Sequence, residues 1–212
     1  TATLAQAFAT VGAIYRSPKF WRLVPAVAML SALNFTFQGL WAGPWLRDVA
    51  GLGIEARAQV LFAYAAGLAA GSLLWGATAS ALAARGVRPM LAIQGAMAVM
   101  AAVQVVLMLR PEHFLMPLWA LFAFASAAGS VGYTLIAQTF PLGQTGRVAT
   151  AMNATMLAMV FVLQSAIGWV LDFWPRSATG GWDPHAYTAA LAMTLAAQLA
   201  AVAWMAAGSR SS

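Results

Sequence analysis

The chain contains no cysteine and very few charged residues, and both shortages narrow what it can be. Of its 212 residues only 8% are Asp, Glu, Lys or Arg, whereas 62% are hydrophobic. A soluble domain has about 25% charged residues, so this composition leaves too little polar surface to cover a particle in water. The absence of cysteine excludes disulfide scaffolds and thiolate metal sites. The composition therefore indicates a membrane protein and argues against a soluble enzyme or a disordered tail.

Six apolar stretches are long enough to cross the hydrocarbon core of a bilayer. A core of about 30 Å needs roughly 20 helical residues. No charged residue lies in the middle of any of these stretches. We therefore predict an all-α, polytopic membrane protein with six transmembrane helices embedded in the lipid bilayer. The predicted spans are residues 20–46, 58–83, 90–109, 114–138, 148–171 and 187–207.

The charged residues divide unevenly between the two sides that six crossings create. One side carries seven Lys and Arg and no acid, and the other carries four Arg together with all five acids. Because short cytoplasmic loops retain Lys and Arg, the first side is predicted to be cytoplasmic, with both termini inside. Topology thus accounts for the net charge of +6, and no basic cluster is dense enough to predict nucleic-acid binding. The basic side holds Arg16, Lys19, Arg22, Arg85, Arg88, Arg147 and Arg210.

The chain offers little material for catalysis or for metal and cofactor binding. Its two histidines, His113 and His185, lie in predicted outer connections, so no i, i+4 pair exists on a helix to bind zinc. No glycine-rich loop ends in Lys-Ser or Lys-Thr, so no nucleotide site is predicted. The run 129–132, GSVG, includes a serine, but no span carries a histidine to act as its base. We interpret that run as a packing face and predict no enzyme activity, no metal and no cofactor.

Neutral polar residues form faces on the apolar spans. At 100° per residue, positions 34, 38, 41 and 45 place two amides and two indoles on one stripe of the first span. Buried amides in lipid need partners or water, which allows either a cavity that binds a small-molecule solute or hydrogen bonding between helices. For the first-span stripe we favour the cavity, because two indoles beside two amides suit a binding wall. The cavity candidates are Asn34, Gln38, Trp41, Tyr133, Gln138, Asn153 and Gln164.

Small residues recur every four positions on two of the spans. Helices in lipid associate by close backbone approach, so this spacing indicates packing faces. The first span carries Gly39 and Gly43, and the second carries Gly67 and Gly71. We predict helix packing, and no ligand contact, for these four glycines.

Two segments resemble a known family of transporters. Residues 38–49, QGLWAGPWLRDV, are similar to the end of the seventh transmembrane helix in a group of bacterial major facilitator superfamily transporters. Residues 140–153, followed by Gly168 and Asp172, resemble that group's tenth connection and eleventh helix. The resemblance implies that this chain is the C-terminal half, helices seven to twelve, of a secondary transporter of the bacterial inner membrane. The first and fourth spans would then line the central cavity.

The resemblance also implies a partner for this chain. Such transporters rock two six-helix halves about a midplane site, so one half cannot alternate access by itself. We expect either a missing N-terminal half, which we prefer, or a second copy of the chain. Residues 1–19 would form the end of the central cytoplasmic linker, 20–207 the bundle and 208–212 a cytoplasmic tail. The alternative function is a non-transporting scaffold or sensor bundle whose polar residues only pack helices.

Overall fold

The computed structural model describes residues 4–177 and 180–207, with side chains from residue 9 onward. Within these ranges the regular structure is helical, apart from one isolated bridge between Arg176 and Trp182. Six helices are long and apolar enough to cross a membrane, which confirms the prediction of six such stretches. The predicted tail, 208–212, lies outside the described residues. Spans 1 to 6 are Pro18–Asp48, Ile54–Ala84, Pro89–Met108, Leu115–Ala137, Leu142–Leu171 and Pro184–Ala207.

Five spans begin earlier than hydropathy predicts, and spans 2, 5 and 6 do so by three or more residues, because their first turns lie outside the apolar stretch. Glu55 lies in the first turn of span 2, where a carboxylate complements the helix dipole. Span 6 begins at Pro184, and the Asp183 carboxylate accepts a hydrogen bond from the His185 N–H at 2.7 Å. Span 5 opens with a 3-10 turn, Leu142–Gln144. Hydropathy therefore locates the apolar centre of each span better than its ends.

The six spans pack as two sets of three that repeat each other. Span 2 lies against span 4, and span 5 lies against span 1 in the corresponding way. Span 3 contacts span 4, and span 6 contacts span 1 in the corresponding way. Span 3 also contacts span 6, and span 1 contacts span 4. Because three crossings reverse the direction of the chain, the second set runs opposite to the first. Spans 1–3 and 4–6 therefore form two three-helix units of inverted topology.

Spans 1 and 4 are both interrupted within their length. In span 1 the α-helix Pro18–Thr36 is followed by a π-turn, Phe37–Trp41, before the α-helix resumes. In span 4 one helix ends at Ser126 and the next begins at Ala128. The π-turn lies nearer to the C-terminal end of span 1, whereas the break at Ala127 lies at the middle of span 4. Turns of the π type recur at functional sites, so the π-turn of span 1 marks a candidate site.

Glycines on span 2 let it approach span 4 closely. A Cβ on Gly67 would overlap the backbone carbonyl of Ala120. A Cβ on Gly71 would lie 2.7 Å from the carbonyl oxygen of Phe124. Gly67 and Gly71 therefore lie where the predicted packing face requires them.

The two glycines of span 1 behave differently from each other. No atom lies within 4 Å of a Cβ built on Gly43, so the packing contact predicted there is not found. A Cβ on Gly39 would lie 3.5 Å from Nε2 of Gln164, which is an ordinary contact. The π-turn that ends at Trp41 changes the rotation of the residues after it, so Gly43 no longer shares a face with Gly39.

The connections gather at two opposite ends of the bundle. At one end, the Lys19 ammonium donates to the carbonyl of Thr139 at 2.7 Å. At the other, the Tyr187 hydroxyl donates to the Asp48 carboxylate at 2.7 Å. We call these two ends of the bundle the basic end and the acidic end, after the charged residues that each carries. The basic end carries Arg16, Lys19, Arg22, Arg85, Arg88 and Arg147, and the acidic end carries all five acids, Asp48, Glu55, Glu112, Asp172 and Asp183.

A helix, Leu4–Arg16, precedes span 1 and packs against span 5 at the basic end. The Tyr15 hydroxyl donates to the carbonyl of Ala151 at 3.1 Å. The Arg147 guanidinium donates to Oγ1 of Thr10 at 3.2 Å. The segment predicted as the end of a linker is thus a docked helix over this range, and its place in a linker stays a prediction.

Candidate functional site

Asn34 and Ser126 meet beside the two helix breaks. The Ser126 hydroxyl donates to Oδ1 of Asn34 at 3.1 Å, and the Tyr64 hydroxyl donates to the same oxygen at 3.0 Å. The Asn34 amide nitrogen donates to Oε1 of Gln38 at 3.3 Å. Asn34 and Ser126 are both buried, each with 2% exposure. The Asn34 amide is therefore held by spans 1, 2 and 4 together.

A cavity of about 350 Å³ lies beside Asn34, and its wall is mainly apolar with several hydroxyl and amide groups. Its wall comes from spans 1, 2, 4 and 5 and contains hydroxyls and amides but no Asp, Glu, Lys, Arg or His. Such a wall can both donate and accept hydrogen bonds, which suits a neutral polar solute. The cavity is lined by Ser31, Asn34, Phe35, Leu68, Ser72, Ser126, Ala127, Ser130, Tyr133, Asn153 and Met156.

Tyr133 and Asn153 bring unused hydrogen-bonding groups to this wall. The Tyr133 hydroxyl is buried and has no hydrogen-bond partner among the described residues. A buried polar group without a partner costs about 1–3 kcal/mol, so a ligand or water that reached this hydroxyl would recover that energy. The exposed Asn153 amide offers both a donor and an acceptor on the opposite span.

Trp41 and Gln164 join spans 1 and 5 and lie outside the cavity wall. The Trp41 indole nitrogen donates to the carbonyl of Gln164 at 3.3 Å. The Gln164 amide donates to the carbonyl of Phe35 at 3.4 Å. The sequence predicts Trp41 and Gln164 as cavity residues, and the structure corrects this. The π-turn rotates Trp41 away from the face of Asn34 and towards span 5.

Gln38 and Gln138 are also absent from the cavity wall. Gln38 is exposed, and its side chain accepts the hydrogen bond from Asn34. Gln138 follows the last helical residue of span 4, Ala137, so it lies at the basic end and not at the depth of Asn34. Of the seven cavity candidates, the structure brings Asn34, Tyr133 and Asn153 together.

Trp45, the last member of the predicted stripe, is a core residue. It is 1% exposed, and its ring centroid lies 5.7 Å from that of Trp119 on span 4. Trp41, by contrast, packs edge-on against Trp182 with centroids 5.6 Å apart. The two amides and two indoles therefore do not form one stripe, because Trp41 ends the π-turn and faces Trp182, whereas Trp45, one turn later, faces Trp119.

A second buried polar cluster, which was not among the predicted site residues, lies between spans 3 and 6. The Gln104 amide donates to Oε1 of Gln198 at 2.5 Å, and the Thr194 hydroxyl donates to Oε1 of Gln104 at 2.9 Å. The Gln198 amide donates to the carbonyl of Met97 at 2.8 Å. The sequence contains a signal for this cluster, because a glutamine in the interior of each of two apolar spans needs a hydrogen-bond partner in lipid. This cluster fastens span 3 to span 6.

A charged cluster closes the acidic end. The Asp48 carboxylate, whose side chain is 4% exposed, accepts hydrogen bonds from the Arg47 guanidinium and from the Trp182 N–H at 3.1 Å. The Arg176 guanidinium lies 3.9 Å from the centroid of the Trp182 ring. A cavity of about 460 Å³ adjoins the cluster, and its wall balances two Arg against two Asp. These contacts tie span 1 to the connection between spans 5 and 6.

No group of three or more His, Cys, Asp or Glu that could hold a metal ion occurs in residues 4–177 and 180–207. No family model matches the chain, and comparisons with curated proteins and with solved structures gave no match either. The side chains and their arrangement therefore carry the functional argument by themselves.

Proposed function

We propose that this chain is the C-terminal six-helix half of a secondary transporter of the major facilitator type, which moves a small neutral polar solute by alternating access. The observation that carries the proposal is the uncharged cavity with hydroxyl and amide groups beside Asn34 and Ser126. In membrane transporters, the binding site is typically formed by interrupted helices. Here the cavity wall includes Asn34 next to one break and Ser126 at the other.

The inverted three-helix units support the same proposal. Each six-helix half of a major facilitator transporter is built from two inverted repeats of three helices. Spans 1–3 and 4–6 pack in that way in this chain. In such a half, spans 1 and 4 meet at the centre of the bundle, and the cavity lies against Asn34 of span 1 and Ser126 and Ala127 of span 4.

The exposed faces of spans 2 and 5 suggest where a partner bundle would sit. These two spans have the smallest buried share among the six helices. Both border the cavity, and both expose large apolar side chains such as Phe62 and Phe161. A second six-helix bundle against these faces would enclose the cavity between the two halves. The partner would be an N-terminal half or a second copy of this chain.

The unequal charges at the two ends support an orientation. Lys and Arg in short connections favour the cytoplasm, so the basic end would lie inside the bacterial inner membrane. The N-terminal helix, Leu4–Arg16, and the end of span 6 at Ala207 both lie at the basic end. Both termini would then face the cytoplasm.

Single-cysteine labelling tests the cavity directly, because the chain has no native cysteine. In the complete protein, reconstituted in liposomes, Asn153→Cys is expected to react with a small water-soluble thiol reagent. The matched control is Leu199→Cys in the interior of span 6, which is also exposed in the bundle but lies away from the cavity, where lipid would cover it. Equal protection of both cysteines would contradict a water-accessible cavity.

A scaffold or sensor bundle is the second candidate function, and the hydrogen bonds of Asn34 favour it. Every bond that its side chain makes in the structure goes to another side chain of the bundle, Gln38, Tyr64 or Ser126. In a scaffold, Asn34→Ala would lower thermal stability while Asn153→Cys stayed protected. In the transporter, Asn153→Cys would react, and a transported solute would slow that reaction.

A further inference from the structure

A groove of about 500 Å³ lies at the basic end, between the ends of spans 1, 3 and 6. Its wall combines Lys19 and Arg22 of span 1 with Gln94 of span 3. All three side chains carry N–H donors, and only the glutamine adds an acceptor. The groove therefore presents an excess of positive hydrogen-bond donors.

Arg22 and Gln94 are half-buried and make no side-chain hydrogen bond or ion pair within the part of the chain that the structure describes. The Lys19 ammonium uses one of its three donors on the carbonyl of Thr139. A half-buried guanidinium has lost part of its hydration and gains most from an anionic oxygen, which can accept two of its N–H groups at once. The unmatched donors point to an anionic ligand group.

The remaining wall of the groove is apolar. Leu23, Met90 and Met205 line it beside the basic residues. An inorganic anion would gain nothing from such a wall, whereas a molecule with an anionic head and a hydrocarbon chain would bury its chain there. The lining thus fits an amphiphile better than a free ion.

Two tryptophans place the groove at the depth of lipid headgroups. Trp21 adjoins Arg22 in sequence, and Trp204 adjoins Met205; the two are 44% and 61% exposed. The Trp204 indole nitrogen donates to the carbonyl of Trp21 at 3.0 Å, which holds the pair together. Exposed indoles collect at the membrane interface, so this pair marks that level at the basic end.

The groove also faces away from the cavity beside Asn34. The cavity wall comes from spans 1, 2, 4 and 5, and spans 3 and 6 contribute no residue to it. The groove, in contrast, uses spans 3 and 6, so a bundle that covered spans 2 and 5 would leave it open to lipid. None of the five acids lies at this end to compete for the basic residues.

We infer that this groove binds an anionic phospholipid, with the headgroup phosphate at Arg22, Lys19 and Gln94 and an acyl chain along Leu23, Met90 and Met205. Basic pockets between transmembrane helices bind anionic headgroups by the same chemistry. The lipid would fasten the ends of spans 1, 3 and 6 to one another. This site is separate from the proposed solute cavity, and its test does not depend on transport.

Native mass spectrometry of the complete protein in detergent, titrated with phosphatidylglycerol, tests the inference. Arg22→Gln is expected to weaken phosphatidylglycerol binding about fivefold, since one basic residue near the surface contributes that much to anionic lipid binding. The matched control is Arg85→Gln, which removes one positive charge from an exposed turn at the same end but outside the groove. Arg85→Gln is expected to bind phosphatidylglycerol as the parent protein does.

Three further measurements complete the test. Phosphatidylcholine, which has no net charge, is expected to bind the parent protein and Arg22→Gln equally weakly. Inorganic phosphate at millimolar concentration should not displace phosphatidylglycerol, because phosphate lacks the chain; displacement would show an ion site and overturn the lipid proposal. Equal losses in Arg22→Gln and Arg85→Gln would overturn it too, since both would then reflect general charge. Should Arg22→Gln fail to fold, Arg22→Lys and Gln94→Leu replace it, and Gln94→Leu is expected to weaken binding more than Arg22→Lys.

Discussion

The backbone N–H of Trp182 donates a hydrogen bond to Oδ2 of Asp48 at 3.1 Å, across 134 residues of sequence. The same oxygen accepts a second hydrogen bond from Tyr187 at 2.7 Å. A Cβ on Gly181 would lie 2.5 Å from Oδ1 of Asp48, so only glycine lets the loop come this close. One carboxylate therefore holds the end of span 1, the connection before span 6 and the first turns of span 6 together.

Asp48→Asn is expected to lower the stability of the complete protein. The amide has one oxygen in place of two charged ones, and it loses the attraction of Arg47. Hydrogen bonds to charged groups contribute about 1.5–3 kcal/mol each, so a decrease of that order in the free energy of unfolding is expected. Thermal unfolding in detergent, followed by circular dichroism, measures it.

Asp172→Asn is the control for that prediction. Its carboxylate pairs with Arg176 at 3.2 Å, but both side chains are more than half exposed. Exposed pairs of this kind contribute about 0–1 kcal/mol. A larger loss from Asp172→Asn than from Asp48→Asn would contradict the central role of Asp48 at the acidic end.

Gly67→Ala is expected to separate spans 2 and 4. The added methyl group would overlap the carbonyl of Ala120, and backbone atoms cannot move aside as a flexible side chain can. Overpacking of this type costs about 1–3 kcal/mol. Gly43→Ala is the matched control, since no atom lies within 4 Å of its Cβ position, and it is expected to be neutral or mildly stabilising. The unfolding temperatures of the two variants measure this difference. Equal decreases in unfolding temperature would contradict the close contact at Gly67.

In the glutamine cluster of spans 3 and 6, we expect the effect of substituting Gln104 on stability to depend on whether Gln198 is present. Gln104→Leu alone leaves the amide of Gln198 without its side-chain partner, which is expected to lower stability. Gln104→Leu combined with Gln198→Leu removes both polar groups, and the double variant is expected to be more stable than the single one. Hydrogen bonds between side chains of transmembrane helices contribute about 0.6 kcal/mol to stability on average, so a double-mutant cycle with precise unfolding data is needed. Additive losses would show that the two amides act independently.

Tyr133→Phe and Tyr64→Phe are expected to act in opposite ways on stability. Tyr64→Phe removes the hydroxyl proton shared between the carbonyl and Oδ1 of Asn34, a loss of about 0.5–1.5 kcal/mol, so this variant is expected to unfold at a lower temperature. Tyr133 loses a buried hydroxyl that has no partner in the described structure, so its replacement is expected to leave stability unchanged or raise it. Under the proposed function, Tyr133→Phe would still bind the solute more weakly. A greater loss of stability from Tyr133→Phe would contradict the unpaired state of its hydroxyl.

The number of apolar helices could be predicted from the sequence, but which side of each helix packs against a neighbour could not. Span 2 is apolar on all sides, so no periodic pattern shows that Gly67 faces a neighbour while Phe62 does not. Angular arithmetic also assumes an unbroken α-helix. The π-turn at Phe37–Trp41 violates that assumption, which is why Asn34 lines the cavity while Trp41 and Trp45 pack elsewhere.

The sequence by itself determined that the chain folds as a bundle of six apolar helices with its acids grouped in alternate connections. Hydropathy decides this residue by residue, because each charge costs free energy in lipid wherever the helix packs. Only the tertiary structure decided which polar groups meet, such as Asn34 with Ser126 or Gln104 with Gln198. Those pairs lie 92 and 94 residues apart, and nothing local to either partner encodes the rotation and break of the helix that bring them together.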